Sequence, residues 1–168
     1  MLPSWPGWDG LHPLIIHFPI GLLMVAPIFV LLALVAPKHA RGFEISALVL
    51  LALGAIAAFV AVSTGQAAAE LVERTDAINA VLEQHEELAE DTRNAFALLT
   101  VLYAVLLALP LRVARLARPA YRTTVNVVVL VLLLSGSLLL VSAAHQGGRL
   151  VHQLGVRAMM PATQAPAE

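Results

Sequence analysis

The chain has no cysteine. That single absence removes disulfides, thiolate-bound metals, iron–sulfur clusters and covalent c-type haem attachment. Charge is also scarce. Asp, Glu, Lys and Arg make up 12% of the 168 residues, and ten bases stand against eleven acids. No basic run is present that would hold a nucleic acid by its phosphates. His-Glu-x-x-His, a phosphate-binding glycine loop and a nucleophile elbow are all missing, so hydrolytic chemistry finds no support.

Apolar residues take up the space. They amount to 60% of the chain, and mean hydropathy is +0.85. A bilayer core about 30 Å thick needs roughly 20 mostly apolar residues in a helix that crosses it. Segments 11–36, 45–65, 95–111 and 124–144 meet this, the third with some continuation at its ends, and none contains Lys, Arg, Asp or Glu. The expected fold is all-α, a four-helix transmembrane bundle. No Lys or Arg precedes Lys38, and the first apolar run is longer than a signal core. It is therefore expected to stay in the protein rather than be cleaved.

Basic residues set the expected orientation. Lys38 and Arg41 follow the first segment, and Arg112, Arg115, Arg118 and Arg122 follow the third. Loops rich in Lys and Arg stay cytoplasmic, whereas acids count for little. Both termini and the acidic connection between segments two and three are then on the non-cytoplasmic side. Trp5 and Trp8 suit interfacial anchoring before the first span.

The acidic connection, 66–93, carries Glu70, Glu73, Asp76, Glu83, Glu86, Glu87, Glu90 and Asp91. Leu71, Ile78, Val81, Leu82, Leu88 and Ala89 recur in it at helical spacing. This predicts an extramembrane acidic helical hairpin extending helices two and three, with its turn near 75–79. Pro19 and Pro27 should bend the first helix, because each removes an internal hydrogen bond. Ser135-Gly136-Ser137 should permit close helix contact, and Gly147-Gly148 should end or bend the last helix. Residues 1–158 read as one transmembrane domain, followed by a disordered tail at 159–168.

Five of the six histidines (His12, His17, His85, His145 and His152) fall on the expected outer side, with His39 on the other. His85 lies in the apolar stripe of the hairpin. Imidazoles converging from several helices are how membrane cytochromes hold haem b, with two neutral nitrogens on the iron and apolar walls around the porphyrin. The same imidazoles suit copper or zinc. Gly21 and Gly65 would leave room beside a ring. Position 82 is leucine, so the Glu-x-x-His spacing of a di-iron bundle is not met.

The opening Leu11-His12-Pro13-Leu14-Ile15-Ile16-His17-Phe18-Pro19-Ile20-Gly21 resembles the start of a bacterial membrane family, domain of unknown function 2231. His85-Glu86-Glu87-Leu88 is similar to the stretch entering that family's third helix, and His145-Gln146-Gly147-Gly148-Arg149 to its closing segment. One departure stands out. Where the family closes on Tyr and, two places on, His, this chain has His152 and Leu154. The resemblance implies a bacterial inner membrane, with both termini periplasmic, and a redox setting, since the family occurs joined to Rieske-type or c-type cytochrome domains. It points to His12, His17, His85 and His145 as ligands, with His152 as a substitute.

The expected function is a haem b-binding, bis-histidine electron-transfer protein with one or two haems near the periplasmic surface. It would be a carrier rather than an enzyme, with a periplasmic cytochrome or Rieske-type partner or a second copy of itself. The alternatives are a copper- or zinc-binding membrane protein, and a cofactor-free structural or assembly subunit of a respiratory complex.

Overall fold

The computed structural model describes residues 6–156. The tail expected at 159–168, and Trp5, lie outside the described residues. Five α-helices follow in order: α1 (His12–Ile15), α2 (His17–Val35), α3 (Ala40–Ala69), α4 (Asp76–Arg112) and α5 (Pro119–His152). Short 3-10 turns cover Asp9–Leu11 and Ala114–Leu116. The turn at Asp9–Leu11, α1 and α2 form one span, so four helices are long and apolar enough to cross a membrane.

The break in the first span is local and has a cause. Pro19 has no N–H to offer the carbonyl of Ile15, and its ring crowds the preceding turn. The helix is interrupted at Ile16, immediately after that carbonyl. Pro27 is buried and the helix runs through it.

α3 has 30 residues and α4 has 37. At 1.5 Å per residue these reach about 45 and 55 Å, well beyond an apolar core of about 30 Å. Their ends at Ala69 and Asp76 meet in the acidic hairpin, and Leu150 of α5 packs against its Ala69, Val81 and Leu82. The hairpin turn comes earlier than the sequence spacing suggested, over 70–75. Thr75 decides the point: its Oγ1 accepts the Ile78 N–H at 3.3 Å and caps α4. The last helix also differs from expectation. It continues through Gly147 and Gly148 to His152, and the chain turns back only at Gly155, whose φ is +69°. There Val156 N–H reaches Leu150 O at 2.9 Å.

Each helix packs on the next, and α5 closes the ring against α2. Buried small residues, including Ala26, Ala47, Ala58 and Ala61, let backbones approach between larger core side chains such as Leu23, Leu51, Phe96 and Tyr103. A Cβ on Gly136 would stand 3.2 Å from the Phe96 ring, so the expected close contact is made there. The exterior is apolar: Ile56, Leu98 and Leu138 are each more than 60% exposed. A surface like this belongs in lipid. At the end carrying the basic loops, Glu44 is 1% exposed and accepts Arg122 Nε at 2.6 Å and Nη2 at 2.8 Å. Asn126 donates to the same carboxylate, and Tyr103 donates to Asn126. This network joins α3, α4 and α5.

Candidate functional site

The end opposite the basic loops holds a cavity of about 830 Å³. Two imidazoles enter it from different helices. His12, at the start of α1, places Nδ1 2.9 Å from Ala61 O of α3. His85, in the third turn of α4, places Nδ1 2.9 Å from Ala143 O of α5. A carbonyl oxygen only accepts, so Nδ1 carries the proton in both rings. In the neutral imidazole the lone pair is then on Nε2, the nitrogen a metal ion would bind. Thr64 reinforces the first anchor, with Oγ1 3.3 Å from His12 Nδ1 and its single proton within reach of both Val60 O and Ala61 O. The ring centroids are 6.4 Å apart and the planes meet at 78°.

Each ring lies against a glycine. A Cβ on Gly65 would be 2.9 Å from His12 Cε1, and one on Gly147 would be 3.0 Å from His85 Cε1. Any side chain at either position would displace an imidazole. Most of the remaining lining is apolar, drawn from all four spans and including Ile20, Leu23, Val62, Leu82 and Leu140. Asp9, Glu73, Glu86 and Glu90 supply carboxylates, and no Lys or Arg is among the lining residues.

The sequence-derived residues divide. His12 and His85 meet in the cavity, Gly65 lies beneath the first of them, and His152 lines it while remaining exposed. His17 and His145 do not join them. Both are exposed on the bundle's outer surface and absent from the lining, as is Gly21. Helix geometry explains this. At about 100° per residue, His17 lies about 140° around from His12, and His145 about 200° around from the inward Gly147. His39 sits at the far end, in a smaller pocket.

Sequence reasoning missed Gly147 as a seat for His85, taking the glycine pair for a helix end or bend. It also missed the Ala61 and Ala143 carbonyls, which no side-chain pattern reveals. Among the described residues, no three His, Asp or Glu side chains converge as a metal-binding cluster.

The fold and site define an α-helical, four-span membrane protein with a paired-histidine cavity at one end. Residues 9–159 match the family model described as predicted membrane protein DUF2231, and the chain belongs to that family. No curated protein and no solved structure matches it.

Proposed function

We propose that the chain binds one haem b in this cavity, with His12 and His85 as the two axial ligands, and carries electrons at the membrane surface. The His12–His85 pair carries the reading. Two metal–nitrogen bonds of about 2 Å each, plus about 1 Å from nitrogen to ring centre on either side, put the centroids of two axial imidazoles about 6 Å apart. The pair stands at 6.4 Å.

Three further features support the fit. Both imidazoles are held by Nδ1 to a backbone carbonyl, the usual outer support of a metal-bound histidine. The cavity is within the size range of cofactor pockets and largely apolar. Two imidazoles alone fall short of the three or four protein ligands that zinc sites take, whereas a porphyrin brings four nitrogens of its own. A single converging pair suits one haem rather than two.

When bound, haem b supplies a one-electron couple. The chain's own residues do the rest: His12 and His85 fix position and ring orientation, and the apolar walls exclude water. The carboxylates at the cavity and along the hairpin attract a cationic redox partner, such as a periplasmic cytochrome or a Rieske-type protein. The basic loops lie at the opposite end, which supports an inner-membrane protein with the cavity facing the periplasm.

The test is an absorption spectrum with an iron assay on protein made with haem available. A Soret band that sharpens on reduction is expected in the native chain, in H17A and in H145A, and is lost in H12A and H85A. A colourless native protein free of iron overturns the reading. So does a spectrum that survives both H12A and H85A.

A further inference from the structure

The turn between α2 and α3, at the far end of the bundle from the paired histidines, carries a second, open pocket of about 540 Å³. Lys38, His39 and Arg41 line it together with Phe29 and Phe43. We propose that this pocket binds an anionic phospholipid, with the three basic side chains around the headgroup phosphate and the two rings against its apolar portion.

The charge argument comes first. Among the described residues the one ion pair is Arg122–Glu44, so Lys38, His39 and Arg41 face the pocket without a carboxylate partner. Glu44 is the acid nearest in sequence, but it is turned inward and its two oxygens are occupied by Arg122 and Asn126. α3 also begins with no acidic residue in its first turn and no side-chain cap. The positive charge of this corner is therefore left for an anion from outside the chain.

Position and shape then select the kind of anion. The pocket lies where two apolar spans turn, which is where lipid headgroups meet water. The Phe29 and Phe43 rings are 6.2 Å apart and half-buried, one from each span. A free phosphate would gain nothing from them. A phospholipid, charged at one end and apolar along its length, uses both the basic side chains and the rings. Basic pockets between transmembrane helices bind anionic headgroups in this manner.

The experiment is native mass spectrometry of the detergent-extracted chain titrated with phosphatidylglycerol, phosphatidylcholine or inorganic phosphate. The comparison variant R115Q/R118Q removes two charges from the other loop on the same membrane edge, at residues that line neither cavity. Phosphatidylglycerol is expected to stay bound, to bind K38Q/R41Q roughly tenfold or more weakly, and to bind R115Q/R118Q as it binds the native chain. Equal weakening in both variants means diffuse attraction and overturns the proposal. Equal retention of phosphatidylcholine overturns it, as does full competition by inorganic phosphate. A photoreactive phosphatidylglycerol on the native chain gives a readout independent of variant folding: labelling is expected within 29–46, and labelling spread evenly over both loops rejects the site.

Discussion

Gly65 of α3 lies directly against the His12 ring, leaving 2.9 Å between Cε1 and the place a β-carbon would occupy. His12 cannot retreat without lengthening its hydrogen bond to Ala61 O. G65A and G147A should therefore each push an imidazole out of position. Overpacking of this kind costs about 1–3 kcal/mol, and haem occupancy in a binding titration should fall accordingly. G21A is the comparison: a Cβ there meets nothing within 4 Å, and the residue is exposed and absent from the cavity lining. It should leave the cofactor unchanged and stabilise the helix by up to about 1 kcal/mol.

The angle between the imidazole planes, 78°, predicts a spectroscopic signature. Nearly perpendicular axial rings leave two iron d orbitals close in energy. Ferric haem held by His12 and His85 should then give a strongly anisotropic low-spin electron paramagnetic resonance signal. An ordinary rhombic signal would mean near-parallel rings and so a different ligand pair.

Carboxylates beside the cavity would stabilise the more positive, ferric state of a haem bound there. Glu86 and Glu90 line the cavity, and Glu90 also accepts Gln66 Nε2 at 2.9 Å. E86Q and E90Q should each raise the midpoint potential. A partly screened charge worth about 1 kcal/mol corresponds to roughly 40 mV. Potentiometric titration measures the shift, and a lowered potential would contradict the electrostatic reading.

The Glu44–Arg122 pair should respond unequally to its two halves. Arg122 has 38% of its side chain exposed, whereas Glu44 has 1%. Removing Arg122 strands a buried carboxylate with Asn126 alone. Breaking a buried pair in this way costs about 3–5 kcal/mol. Removing Glu44 leaves an arginine that can turn to the membrane surface. R122Q should thus lower the unfolding midpoint in detergent more than E44Q, and the haem spectrum of any folded fraction should be unchanged.

Much of the architecture was legible in the sequence because crossing a membrane is a one-dimensional requirement. The runs at 45–65, 95–111 and 124–144 each sit within an observed span, and the run at 11–36 overshoots its span by one residue. The hairpin was legible too, since its apolar stripe is periodic. Its turn was misplaced by several residues because the Thr75 cap carries no glycine or proline to mark it. Of the site, His85 was readable from its place in that stripe.

The rest depended on which way each helix is rotated. His12 and His17 are equivalent as letters in an apolar run, yet only His12 turns inward. That choice follows from how α1 meets α3 around Gly65. Likewise Gly147, not His145, faces α4, because α5 packs its small residues toward the His85 ring. Composition and periodicity determined that this chain spans a bilayer four times with histidines crowded toward one end. Which two of those histidines meet was decided only by helix packing, since contacts between spans join residues tens of positions apart, where local sequence holds no record of the rotation.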